Sequence, residues 1–580
     1  MRRGVQEKST GHTAAHSFSM RLNRSLFFLV LLSVSAATLI AQPPVAERGM
    51  VATVHPLATR AGVDAMRRGG NAVDAAVAAA LMLGVVDGHN SGIGGGCFML
   101  IRLADGRFIA IDGRETAPAA ATHDMYLRDG KAETELSQTG ALAPATPGAL
   151  AAYDHAIRNF GKRPLKEHLL GAAEVAEKGF PIDAKYAAKL KSAAKNLARF
   201  PASRSIFLKD EGSALSEGEV LRQPDLARSY RAIAEEGTPW FYEGHFAQAT
   251  GEWMKANGGL LSADDFRRYH TELREPIFTT YRGYRIASFP PPSSGGVHVA
   301  QLLNIIETRD VKAMGAGSVE CIHFVAEAMK LAFADRAFWL GDPAFAKVPR
   351  GLVGTDYAKA LAEKIRMDRA TVVEGHGTPE RAHDDVFGKH TTHFSAADAE
   401  GNWVACTATI NTGFGSKVVV PGTGIVLNNE MDDFSIQPGV ANHFGLVGGE
   451  ANAVAPGKRP LSSMSPTIVL NGDAPILAVG AAGGPTIISQ TVLAIVNVID
   501  FGMDVRGAIA APRFHHQWSP DALQIESGIG AKALEGLKEK GQKLAPIGAF
   551  GACNAVGRSA DGKGFVGASD PRVQGLAEGL

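Results

Sequence analysis

Large apolar residues recur along this chain at two spacings, and the switch between them divides it. From residue 50 the run MVATV has the composition of a strand, and two stretches with apolar positions at helical intervals follow. Pro56 can open the first of these helices and Gly69-Gly70 can close it, while Asn71 with Asp74 three positions later caps the second, AVDAAVAAALMLGVV. The alanine-rich face of that second helix permits close packing. The strands CFMLIRL and FIAID come next, and residues 146–285 read as mainly helical. In the first helix of that stretch Leu150, Tyr153, Ile157 and Phe160 share a face between Thr146-Pro147 and Gly161. The rigid stretch PPPSSGG at 290–296 precedes the helices VHVAQLLNIIE and CIHFVAEAMKLAFADRAFW.

Residues 371–390 (TVVEGHGTPERAHDDVFGKH) are polar and charged, and beyond them the pattern becomes strand, turn, strand. SAAD and WVACTATIN flank the turn AEGN as a hairpin, with Thr409 and Asn411 alternating onto one face. VVVPGTGIVLNNEMDDFS reads as a second hairpin carrying Glu430, Asp432 and Asp433 at its end. Residues 437–456 form a long loop without periodicity, a length used mostly for lids. An Asn-Gly hairpin then leads to GAAGGPT, and IISQTVLAIVNVI reads as a buried helix with Pro485 at its first position.

Composition narrows the function classes. The 580 residues are 45% hydrophobic and 20% charged, enough for one large layered core or several domains. With 59 basic against 59 acidic residues the chain has no long-range attraction for nucleic acid or an anionic membrane, so small neutral or zwitterionic ligands are expected. Cys97, Cys321, Cys406 and Cys553 lie far apart, without C-x-x-C or zinc spacing, and read as free and mostly buried. A basic MRLNR at 20–24, the apolar SLFFLVLLSVSAATLIAQ and its small residues mark 1–41 as a signal peptide, with Met20 a candidate true start. That predicts a periplasmic or secreted protein. No other apolar run is long enough to span a bilayer.

The candidate chemistry centres on HTTHFS at 390–395, where loop becomes sheet. There Thr391 is either a polar strand starter or a hydroxyl that attacks the preceding carbonyl and becomes a new N-terminus. Its freed α-amine, with an ordinary pKa of about 7.7–8.0, would then serve as its own general base. Gly483 and Gly484 precede a helix, where N–H groups hold an oxyanion or simply make a tight turn. Arg114, just past a strand, is either paired with a carboxylate or presents its planar fork to one on a substrate. The carboxylates of Glu430, Asp432 and Asp433 would face solvent or bind calcium, but the central glycine of a calcium loop is missing. HNSGIGGGCF at 89–98 has a helix before it and a strand after, the reverse of a dinucleotide loop, so its glycines are read as permitting close backbone packing. SAAK at 192–195 lacks the companion motifs of acyl-transfer serines, and neither His390/His393 nor His515-His516 has a zinc framework, so no metal is expected.

Taken together, GGNAVDAAVAAAL, SGIGGGCF, GRETAP, PPPSSGG, TTHFS, LNNEMDDFS, KRPLSSMSPT and APRFHHQW resemble the γ-glutamyltranspeptidase family, in order and along nearly the whole chain. The resemblance implies an α+β fold, the four-layer αββα sandwich of the N-terminal-nucleophile hydrolases. It implies a precursor that cuts itself between His390 and Thr391 into a large subunit (42–390) and a small one (391–580), which stay together as a heterodimer. Thr391 would be the nucleophile, Thr409 its hydrogen-bonding helper, and Gly483 and Gly484 the oxyanion donors. Arg114, Ser462 and Ser463 would hold the substrate α-carboxylate, and Asn411, Glu430 and Asp433 its α-ammonium. Phe444 would lie in a lid, where bacterial members often carry a tyrosine that reaches the residue matching Asn411; phenylalanine keeps the apolar cover and lacks that bond. The implied reaction passes the γ-glutamyl group of glutathione or a γ-glutamyl amide to water, an amino acid or a peptide, with no cofactor, metal, nucleic acid or membrane span. Two alternatives stand beside it. One is a cephalosporin (glutaryl) acylase of the same superfamily, against which Arg114, Asp433 and Ser462-Ser463 argue; the other is an unprocessed secreted amino-acid-binding protein.

Overall fold

Thirteen strands make the two sheets that position the site. Before residue 390 come β1 (Gly49–Thr53), β2 (Gly96–Arg102), β3 (Phe108–Gly113), β4 (Glu272–Leu273), β5 (Ile277–Tyr281) and β6 (Tyr284–Ser288). After it come β7 (Ala396–Asp398), β8 (Trp403–Thr409), β9 (Thr467–Asn471), β10 (Ala474–Ala482), β11 (Ala552–Arg558), β12 (Phe565–Ala568) and β13 (Leu576–Gly579). These belong to a computed structural model that describes residues 45–380, 382, 386, 387 and 396–580, so the signal segment and the predicted cut at His390/Thr391 lie outside the described residues. Among the described residues the first sheet runs β13-β1-β7-β8-β2-β3-β4 and the second β12-β11-β10-β9-β6-β5, with antiparallel pairing throughout.

Alternation along each strand divides the core in two. On β2, Phe98 and Leu100 enter the layer between the sheets, whereas Cys97, Met99 and Ile101 face the helices on the other side. The sheets meet where Phe98 packs on Phe289 and Trp403 on Phe565, with ring centroids 4.1 and 5.7 Å apart. Helices α1 (Pro56–Arg67), α2 (Ala72–Val86) and α3 (Ala149–Phe160) cover the first sheet. Helices α4 (Gly295–Glu307) and α6 (Thr486–Ile499), with α5 (Val319–Trp339) laid across α4, cover the second. The result is the four-layer αββα sandwich. The predicted cap of α2 forms as a reciprocal pair: the Asn71 side chain accepts from the amides of Val73 and Asp74, and Asp74 accepts from the Asn71 amide at 2.8 Å.

Two sequence expectations change. The hairpin expected over VVVPGTGIVLNNEMDDFS has a single isolated bridge, Val419 to Val426, and Glu430–Asp433 is a 3₁₀ turn. Val418, Val419 and Val420 are all buried, so the run has no solvent face to alternate with, and Pro421 has no N–H for a ladder. Pro485 stands just before α6, as its N-cap, rather than at its first position. The four cysteines are free, with Cys97, Cys321 and Cys553 buried, as their spacing suggested.

Candidate active site

One cavity of about 570 Å³ opens at the ends of β8 and β10, and most of the residues singled out in the sequence meet on its wall. Arg114, Asp433, Ser462 and Ser463 line one part of it, and Thr409, Asn411, Phe444, Gly483 and Gly484 line another. Glu430 lies directly behind, bonded to Arg114. His390 and Thr391 lie outside the described residues.

Arg114 emerges from β3 and is 1% exposed. Its Nη1 donates to Glu430 Oε2 at 2.6 Å, its Nη2 to Asp433 Oδ2 at 2.5 Å and its Nε to the Pro460 carbonyl at 3.0 Å. Of the two readings of Arg114, pairing with a carboxylate is the one seen among the described residues, because burial leaves each charge costly without a partner. Glu115 adds a third carboxylate 3.4 Å from Arg114 Nη1, buried like Glu430, and among the described residues one oxygen of each of these two has no hydrogen-bond donor. Burial holds both carboxyls above the ordinary range, against the pull of Arg114.

The serine pair is held by the rigid stretch at 290–296. The bridge between Ser293 and Ser462 fastens PPPSSGG to KRPLSSMSP, with Ser293 Oγ donating to the Met464 carbonyl at 2.6 Å and Ser294 Oγ to the Ser462 carbonyl at 2.7 Å. Sequence reasoning missed Arg336, which is buried on α5 and donates to Ser294 Oγ at 2.9 Å and Ser463 Oγ at 3.1 Å. Burial pulls its pKa down to about 10, so it stays cationic beside the serines. The available signal was an arginine in a helix with apolar residues on every side. Asp432 was also missed as an anchor: it accepts from Ser137 Oγ at 2.7 Å and from the His443 amide at 2.9 Å, fastening the loop 437–456.

At the other end Thr409 Oγ1 accepts from the Asn411 amide at 2.7 Å, and Asn411, held at φ 73°, donates from Nδ2 to the Asn429 carbonyl at 3.0 Å. Gly483 (φ 133°) and Gly484 (φ 58°) turn the chain from β10 into α6, and among the described residues neither amide has an acceptor. Gln490 braces this turn, donating to the Ala482 carbonyl and to Thr486 Oγ1, both at 3.0 Å. The Phe444 ring lies against Gly484, where an added Cβ would come 2.6 Å from ring Cδ1. Gly484→Ala should therefore displace either the ring or the amide; turnover is expected to fall by roughly 10²–10³ with KM far less affected, measured by steady-state kinetics. Among the described residues no three metal-ligating side chains cluster. His515 instead bonds Ser489 and His516 faces Asp521.

A four-layer αββα sandwich with a glycine turn beside the ends of its central strands is the architecture of the N-terminal-nucleophile hydrolase class. Within it the chain belongs to the γ-glutamyltranspeptidase family, whose model matches residues 58–580. It is 45% identical over 537 residues to a glutathione hydrolase proenzyme of Escherichia coli (strain K12), covering 91% of each chain. It is 41% identical over 546 residues to the acylase ACY 1 proenzyme of Pseudomonas sp. (strain V22), covering 92% of this chain and 94% of that one. Among solved structures, the cephalosporin acylase from Bacillus halodurans superposes with a TM-score of 0.83 at 29% identity, over 98% of both chains.

Proposed function

We propose that this protein is a self-processing γ-glutamyl acyltransferase and glutathione hydrolase in which Thr391 is nucleophile and cleavage residue. The observation that carries this is the meeting, in one cavity, of a guanidinium–carboxylate–serine cluster suited to an α-amino acid with a pair of glycine amides that have no acceptor among the described residues and are suited to an oxyanion. Ala396, the first described residue after the proposed cut, pairs with Val404 on β8 and with Val51 on β1, and β8 ends at Thr409 on the cavity wall.

The reaction follows from these parts. The α-amine of Thr391 takes the proton of its own hydroxyl as the oxygen attacks the γ-carbonyl, and the amides of Gly483 and Gly484 face the developing oxyanion. The C–N bond breaks, the leaving amine takes the proton, and a γ-glutamyl ester remains. Water or an incoming amine then attacks the ester, its proton returns to the threonine oxygen, and the enzyme is regenerated. Arg114, Ser462 and Ser463 hold the α-carboxylate, while Asn411, Glu430 and Asp433 hold the α-ammonium, so substrate binding loosens the resting Arg114–Asp433 pair. Phe444 covers the site from the lid.

The cut yields a large subunit (42–390) and a small subunit (391–580) after export guided by residues 1–41, giving a periplasmic or secreted heterodimer. Among the described residues no helix is long and apolar enough to cross a membrane. The buried charge cluster disfavours a glutaryl acyl group, which brings no ammonium for the carboxylates. N-terminal sequencing of the smaller fragment should read TTHFSAAD, and purified enzyme should cleave γ-glutamyl-p-nitroanilide in preference to glutaryl-p-nitroanilide. A single uncut active band, or the reverse preference, would sink the assignment.

A further inference from the structure

The cavity does not end at the residues that the glutamyl group would use. A second arm of its wall is made by His89, Tyr186, Lys185 and Lys189, with Asp87 and Asp183 between them. It adjoins the first arm directly: the amides on either side of Asn411, those of Ile410 and Phe414, donate to the Asn90 and His89 carbonyls at 3.0 and 2.8 Å. Lys189 and Lys185 stand one turn apart on the helix Ala184–Leu197, and the Lys189 stem passes over Gly413, whose added Cβ would lie 4.0 Å from Lys189 Cδ. Both lysines are exposed, and among the described residues neither ammonium has a carboxylate within ion-pair range.

Two further groups on this wall have unused hydrogen-bonding capacity. Among the described residues Tyr186 Oη and His89 Nδ1 are buried without a hydrogen-bond partner, on rings 4.5 Å apart. Burial first, then the two lysines, hold the His89 imidazole down at about 3, so it is neutral. The acids are otherwise engaged. Asp183 caps the helix by accepting from the Tyr186 amide at 2.6 Å, and burial pushes the Asp87 carboxyl up to about 7. Buried polar atoms without partners are exceptions that call for an explanation, and unpaired ammonium groups at a cavity mouth attract anions.

We propose that this arm is the subsite for the part of the substrate beyond the scissile amide, and that Lys185 and Lys189 select leaving groups and acceptors ending in a carboxylate, namely amino acids and short peptides. The inference rests on the γ-glutamyl reading above. It gives the cavity two cationic ends, Arg114 for the α-carboxylate of the donor and the lysine pair for the carboxylate across the amide, which matches a tripeptide such as glutathione.

The test compares glutathione with γ-glutamyl-p-nitroanilide, whose leaving group carries no charge, in wild type and in Lys185→Ala/Lys189→Ala. The fall in kcat/KM should be about five- to tenfold larger for glutathione than for the anilide and should reside in KM, while Lys189→Arg keeps most of the wild-type ratio. Raising salt to about 0.5 M should erode the wild-type preference for glutathione and leave that of the double variant unmoved. Equal losses on both substrates, or none, would overturn the subsite and leave the γ-glutamyl reading standing. A wild-type enzyme that released no p-nitroaniline would remove that reading and the subsite with it.

Discussion

Thr391→Ala is expected to purify as one uncut chain with no measurable γ-glutamyl turnover, a fall in kcat of roughly 10⁶, the scale of deleting a nucleophile elsewhere. Two losses compound here. Without the hydroxyl the chain cannot break its own backbone, so no α-amine is released to act as base; and were the cut made by other means, the amine would still have no oxygen to activate. A gel and an assay separate the two. Inserting a protease site before position 391 and cleaving it externally should restore two bands but no activity. Recovery of turnover in that externally cut alanine variant would move the nucleophile elsewhere.

Arg114→Ala is expected to raise KM for γ-glutamyl amides sharply and also to destabilise the fold by about 3–5 kcal/mol, because Glu430, Glu115 and Asp433 then lose the guanidinium that pairs them. The pH dependence has a definite sign. Burial already holds the Glu430 carboxyl above its ordinary range, and removing the guanidinium raises it further. A carboxyl raised in the folded state contributes its full stability below the unfolded pKa, near 4.5, and loses it as pH rises through the folded value. The melting deficit of the variant should therefore be smallest in acid and widen toward neutrality. Adding Glu430→Gln should recover part of the stability and none of the KM, which separates the structural duty of Arg114 from its duty to substrate. An unchanged KM in Arg114→Ala would take the residue out of the site.

Local signals proved good guides to the frame. The Asn71/Asp74 cap and the alternation of β2 each answer to forces within a few residues, so periodicity and cap chemistry found them. The glycines of SGIGGGCF were read as room for close packing, and a Cβ on Gly94 or Gly95 would collide with the Val426 or Thr409 carbonyl. Long-range pairing was harder to see. Nothing near Asp432 in the chain announces that it fastens the loop at His443, and Arg336 reaches Ser463 across 127 positions. The serine clamp by PPPSSGG was likewise hidden, since a turn and a clamp share one composition. The valine run at 418–420 misled because burial on all sides removes the alternation by which strands are recognised.

The order of strands has a consequence for the life of the molecule after it is cut. β7 and β8 stand between β1 and β2, while β5 and β6 continue the sheet begun by β9 to β12, so each piece fills gaps in the other. Neither piece alone owns a complete hydrophobic layer. Processing therefore severs a bond without creating a dissociable complex, and dilution should release no free subunit from the folded enzyme. Once denatured, though, the pair becomes a bimolecular problem: renaturation should slow as the protein is diluted, a burden that the intact precursor, with both halves on one string, never meets.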